Sequence, residues 1–294
     1  MDKITDSELL AELDKRFKSN EQTLEQQKNL LAELELVNKR LLSAEQVKSQ
    51  FLSNIRNEIV NPLTSILGLS KNLKKNYNNE DAISKTSTLI YQEAFDLDFQ
   101  LSNIFVAAEL EAGELVPEIA NANINEVVKQ VADQLQHKAK KKGITITIIN
   151  KLSDPTFRTD AEKIHLIISN LLANAIEFSN DGGAVNLSLQ TKNNELMIGI
   201  QDFGIGIDLD HQTVIYDRFK QLEAGSTKGH GGHGLGLSIV KDLLELLGGK
   251  IGLESEVKRG STFTIFLTEG DEHEDLNLTL GGNEFLFDEI DELF

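Results

Sequence analysis

The stretch NLLANAIEFSNDGGAVNLSLQTKNNELMIGIQDFGIGI, residues 170–207, changes periodicity twice. It closes a helix expected over 160–178, then passes through strands expected over 184–191 and 195–202 into a loop broken by glycines. Asn170 and Asn174 stand four residues apart, so they share one helix face. Carboxamide oxygens at that spacing can ligate a hard cation. Asp202 ends the apolar strand, where its carboxylate can accept from an exocyclic amine. Gly204 and Gly206 are expected to let a ligand come close to the backbone.

Outward from this stretch, GHGGHGLGLSIV (229–240) carries Gly229, Gly231, Gly232, Gly234 and Gly236 directly into an amphipathic helix expected over 235–247. Free amides and the helix dipole there favour an anion. A helix over 123–141 and strands over 144–149, 250–255 and 261–267 complete a mixed sheet layered with helices. The order of elements is not the repeating β-α-β of a doubly wound fold, and no GxxxxGK[ST] sequence is present. Phosphate, if held, must be held in another way.

Upstream, residues 7–76 read as almost unbroken helix. Leu30, Leu34, Val37, Leu41, Ala44, Val47, Phe51, Ile55 and Ile59 form one apolar stripe. KKNYNNED (74–81) signals a turn, after which Ile83, Ser87, Ile90, Ala94, Leu97, Leu101, Ile104 and Ala108 continue in steps of four and three. A single helical hairpin buries only one stripe per helix, so pairing two of them into a four-helix bundle is the expected closure, and with it a homodimer. Gly113 and Pro117 then end the heptad character.

Composition narrows the chemistry. The chain has 294 residues, 40% of them hydrophobic, with no cysteine and six scattered histidines. Disulfides and thiolate sites are thereby excluded, and zinc is disfavoured. Residues 269–294 carry ten acidic side chains and no Lys or Arg, which is most of the formal charge of −18. Neither nucleic acid nor an anionic membrane is an expected partner. With no apolar run near the ~20 residues of a membrane span and no signal peptide, the cytoplasm is the expected compartment. In the tail, Leu286, Ile290, Leu293 and Phe294 recur at helical spacing, as in a short docking helix.

The three glycine and asparagine patches, in this order, resemble the N, G1 and G2 boxes of the ATPase domain of sensor histidine kinases, whose fold is shared with DNA gyrase. YDRFKQ (216–221) resembles the box before the ATP lid, and GGKIGLESEVKRGSTFTIFL (248–267) the closing hairpin. The resemblance implies ATP and magnesium as ligands. Asn174 would coordinate magnesium and Asn170 line the same pocket, with Asp202 reading the adenine amino group and Gly204 and Gly206 bordering the base. Gly232, Gly234 and Gly236 would wrap the phosphates, under a lid at 219–233.

SQFLSNIRNEIVNPLTSILGLS (49–70) is similar to the H box, and LEAGEL (110–115) to the exit from the second bundle helix. The family places its phospho-accepting histidine before Glu58, where this chain has Asn57. An amide lacks a nucleophilic lone pair comparable to that of imidazole, so Asn57 is not a plausible phosphoryl acceptor, and Glu58 has nothing to activate. Its place between Ile55 and Ile59 puts position 57 on the exposed face. Asn61 matches the position used to orient water against a phosphorylated receiver. Pro62 removes one backbone donor from the helix. At Glu177 the family commonly has Lys or Arg facing the phosphates, so nucleotide affinity is expected to be weak.

The expected architecture is therefore α+β: a coiled-coil signalling helix (1–50), a dimerisation hairpin with a degenerate H box (51–113), an α/β-sandwich ATP-binding domain (114–268) and an acidic tail (269–294). The expected function is that of a histidine-kinase-like signalling dimer, acting through a response-regulator receiver domain or a partner kinase. Two alternatives stand beside it. One is an active kinase represented by an engineered His-to-Asn variant, and the other a nucleotide-free dimeric adaptor.

Overall fold

A computed structural model describes residues 6–75, 78–192, 194–219 and 234–269. The chain divides into two units, Met1–Phe105 with Asp217–Leu235, and Val106–Tyr216 with Gly236–Phe294. Most of the expected lid and nearly all of the acidic tail, including the amphipathic stretch 283–294, lie outside the described residues.

The first unit is helical. Helix α1 runs 70 residues, Asp6–Lys75, and continues through Pro62. Leu30, Leu34, Val37 and Leu41 remain more than half exposed along it. Helix α2, Glu80–Ala112, begins where Asn79 caps the Ala82 amide through Oδ1 at 3.0 Å. It ends at Gly113, whose φ of +67° reverses the chain while Glu114 N–H donates to Glu109 O at 3.0 Å. Among the described residues no helix is long and apolar enough to cross a membrane.

The second unit is a two-layer sandwich. Its sheet has the order β2-β4-β5-β7-β6, built from β2 (Thr145–Asn150), β4 (Ala184–Lys192), β5 (Glu195–Asp202), β6 (Lys250–Glu256) and β7 (Gly260–Thr268). Only the β2–β4 pairing is parallel. Helices α3 (Ile124–Lys141), α4 (Ala161–Phe178) and α5 (Gly236–Leu246) pack against it. Along β4, β5 and β7 every second residue is buried, from Val185, Leu187 and Leu189 through Leu196, Ile198 and Ile200 to Phe263, Ile265 and Leu267. Such alternation of large apolar side chains is what a sheet covered on one face requires. Helix α4 supplies the opposing layer with Ile164, Ile167, Ile168, Leu171 and Leu172, all fully buried.

A two-stranded sheet, β1 (Ala120–Asn123) against β3 (Thr156–Thr159), was not expected from the sequence. Four residues reading ANAN carry neither β-branched side chains nor enough length to signal a strand. The pair positions two helix starts. Asn123 caps α3 by accepting from Glu126 N–H at 3.3 Å. Asp160, 3% exposed, caps α4 by accepting from Glu162 and Lys163 N–H, both at 3.0 Å, while its other oxygen accepts from Glu118 N–H at 2.8 Å.

His165 links α3 to α4 through a 2.8 Å hydrogen bond between its Nε2 and Gln134 Oε1. Burial lowers its pKa, against the opposing pull of the Glu162 carboxylate. The folded protein thus keeps this imidazole neutral where the unfolded chain binds a proton. The stability it contributes is fully present above the ordinary value of about 6.5 and is lost as pH falls below that through the lowered folded value. We expect the melting temperature to drop as pH falls below about 6.5, and to drop less in His165→Gln. Equal slopes in both proteins would show that other groups govern the acid limb.

Candidate functional site

Helix α4 carries Asn170 and Asn174 on successive turns, and they play unequal parts. Asn170 is 4% exposed, and its Nδ2 donates to Leu166 O at 3.0 Å. Its Oδ1 lies 2.7 Å from where a Cβ on Gly236 would stand. The first residue of α5 must therefore be small for α5 to seat against α4. Asn174, one turn further on, is partly buried.

Asp202 ends β5 with its side chain buried, and its Oδ1 accepts from Gly204 N–H at 2.9 Å. Burial raises its pKa above the ordinary carboxylate range; hydrogen bonds from the backbone at Gly204, Ser261 and Asp202 itself oppose that rise. A buried carboxylate is costly to keep, which makes the position a candidate for function.

The loop 202–207 is clamped from both sides. Toward α4, Ile205 N–H donates to Phe178 O at 3.3 Å, and Asn180 Nδ2 donates to Phe203 O at 2.9 Å. Toward the β6–β7 hairpin, Lys258 N–H donates to Ile205 O at 2.7 Å, and Ile207 N–H donates to Ser255 Oγ at 2.8 Å. A Cβ on Gly204 would lie 1.8 Å from Phe178 O, and one on Gly206 would lie 2.0 Å from Glu256 O. These glycines are thus required by contact with the protein's own backbone. The expected reason, close approach of a ligand, is not needed to explain them.

Gly260 belongs to the same clamp and was missed in the sequence. Its φ is +97°, and a Cβ there would meet Asp202 O at 2.1 Å. The only sequence signal was a glycine opening a strand, which reads as an ordinary turn. We expect Gly204→Ala to destabilise the fold by about 3 kcal/mol or more, because neither the Phe178 carbonyl nor the loop can yield without breaking its neighbours' bonds. Urea unfolding measures this; a loss below about 1 kcal/mol would mean the loop is compliant.

Gly234, at φ +69°, precedes α5 and accepts from Phe219 N–H at 2.9 Å. Gly236 is the first residue of α5. Gly232 lies outside the described residues, as do 220–231 and His233. In the other unit, Asn57 and Glu58 fall within α1, their side chains outside the described set, and Asn61 is exposed on the same helix.

Residues 159–271 match the family described as histidine kinase-, DNA gyrase B- and HSP90-like ATPases. They are a histidine-kinase-type ATPase domain. Over most of its length the chain is homologous to sensor histidine kinases of two-component signalling. It is 31% identical to the sensor protein GacS of Pseudomonas syringae over 284 residues, 94% of this chain and 31% of GacS. It is also 31% identical to the signal transduction histidine-protein kinase BarA of Escherichia coli K12, over 87% of this chain and 28% of BarA. The chain thus spans about a third or less of the length of these relatives. Full-length ShkA, solved in complex with AMPPNP, superposes with a TM-score of 0.54 at 25% identity, over 75% of this chain and 46% of ShkA. In the ATPase domain of the present chain, α4, the end of β5, the loop after it and the start of α5 carry Asn170, Asn174, Asp202, Gly204, Gly206 and Gly236.

Proposed function

We propose that this chain is a histidine-kinase-like signalling dimer that binds ATP with magnesium and works without phosphorylating position 57. The observation that carries the nucleotide reading is the buried carboxylate of Asp202, held in place by Gly204 N–H at the end of β5. An adenine amino group can add a hydrogen bond to such an acceptor, and the amides opening α5 offer an anion site. The nucleotide complex of ShkA supports the same assignment.

The residues fit the nucleotide. Asn174, a partly buried residue, would supply a carboxamide oxygen to a hard cation. Among the described residues no group of three or more His, Cys, Asp or Glu could hold a metal ion. Magnesium at Asn174 would therefore draw most of its ligands from phosphate oxygens and water. When bound, it would neutralise phosphate charge; orienting the base and anchoring the phosphates falls to Asp202, Gly234 and Gly236, with Gly232 as the further expected contributor.

Position 57 argues for signalling by conformation or through a partner, either a receiver domain, toward which Asn61 would orient water, or an active kinase. The dimer rests on the apolar stripe of α1, which a lone helix would leave in water. On that division of the chain, 1–50 is the signalling helix, 51–113 the dimerisation hairpin, 114–268 the ATP-binding domain and 269–294 a tail. Two measurements test the reading together. Calorimetry should detect ATP binding in the presence of magnesium, and light scattering at micromolar protein should give twice the chain mass. A flat titration at about millimolar ATP, some 4 kcal/mol of binding free energy, would remove the nucleotide reading. A monomeric mass would remove the dimer.

A further inference from the structure

Lys142 lies just beyond α3 and reaches the other end of the nucleotide helix. Its Nζ donates to Ile176 O at 3.2 Å and also to Glu177 O, the carbonyls closing α4. It stands 4.0 Å from Glu177 Oε2, with the two side chains 24% and 37% exposed. Its own backbone is fixed on both sides, since its N–H donates to Ala139 O at 3.2 Å and its carbonyl accepts from Gly182 N–H at 2.8 Å. A single ammonium thus meets the negative end of the α4 dipole and the side chain of the last acidic residue on that helix.

This geometry bears on the charge reversal at position 177. A carboxylate at a helix C-terminus is unfavourable in itself, and one facing phosphates is unfavourable again. Lys142 offsets both. We propose that Lys142 is a positioning residue for the nucleotide site. It fixes the end of the helix that carries Asn174, and it sets a positive charge beside the Glu177 carboxylate, which lies three residues on from Asn174 along the same helix. The proposal rests on the nucleotide-binding reading above.

The test is a double-mutant cycle read by ATP–magnesium calorimetry at low and high salt, with the full chain. Lys142→Met should weaken ATP roughly five- to tenfold at about 50 mM salt, and distinctly less at about 500 mM, where the Glu177 carboxylate is screened. In the Glu177→Gln background the same substitution should cost less than about twofold, because no charge remains to be neutralised. Lys142→Arg should keep the starting affinity. Lys142→Gln, which retains a donor for the carbonyls but not the charge, should behave like Lys142→Met; it also serves if Lys142→Met does not fold.

A loss that is equal in both backgrounds and independent of salt would make Lys142 a helix cap only and overturn the proposal. So would unchanged affinity in Lys142→Gln. Failure of the starting protein to bind ATP at all would fall on the nucleotide reading itself, and the proposal would go with it.

Discussion

Asp202→Asn should bind ATP at least a hundredfold more weakly than the starting protein, yet remain folded. The carboxylate presents only acceptors, whereas an asparagine amide at the same place turns one of its two polar atoms into a donor. Facing an amino group, that exchange replaces a charge-assisted hydrogen bond with a donor opposite a donor, a loss of roughly 3 kcal/mol or more. Folding answers to a different balance. Burial raises the pKa of this carboxyl, so its ionisation is a cost carried by the ligand-free fold. The stability linked to it is fully present below the ordinary carboxylate value and is lost as pH rises through the raised one. Asparagine removes that dependence while still able to accept from Gly204 N–H. Calorimetry and thermal melting on the same samples check both halves. ATP affinity in the starting protein should also fall as pH is lowered through the raised value, because the acceptor becomes protonated. Retained affinity in Asp202→Asn would show that the base is read elsewhere.

The second large effect concerns position 57. Incubated with labelled ATP, the starting chain should acquire no acid-labile phosphate, since an amide cannot take the phosphoryl group. Asn57→His supplies a nucleophile beside Glu58 and should bring labelling from background to a clearly measurable, slow rate. Adding Glu177→Lys should raise the rate several-fold, because a cation would then face the transferring phosphate directly. Rapid labelling by Asn57→His alone would mean that Lys142 already neutralises Glu177 in full and that position 57 is the single lesion. No labelling in the double variant would place the block in another part of the catalytic path.

Much of the ATPase fold was legible because its signals are local and strong. The 3.6-residue pattern of α4 and the alternation in β4 and β5 each repeat often enough to fix type and extent. β1 and β3 were invisible for the opposite reason, being four residues long and defined only by each other. At the site, the residue types were readable and the reasons for them were not. Asn170 reads as a ligand-facing amide, but it is buried, with its Oδ1 against the start of α5. Lys142 reads as one of a run of solvated lysines, but it reaches a carbonyl that lies 34 residues away along the chain. Contacts between elements distant in sequence leave no periodic trace, so neither the Lys142 cap nor the Gly260 approach to Asp202 could be anticipated.

The backbone clamp around Gly204, Gly206 and Gly260 changes what a record of tolerated substitutions would reveal. Those three glycines are demanded by the protein's own main chain, so selection for folding alone preserves them, whether or not nucleotide is ever bound. A pocket that had abandoned its ligand would keep its signature glycines and still resemble a working one. The residues free to drift first are those whose chemistry serves the ligand and strains the fold, Asp202 above all, with partly buried Asn174 next. In a saturation library selected only for expression, positions 204, 206 and 260 should stay glycine while 202 and 174 diversify. In one selected for signalling, all five should hold. The difference between the two profiles at Asp202 would distinguish a living site from a fossil one.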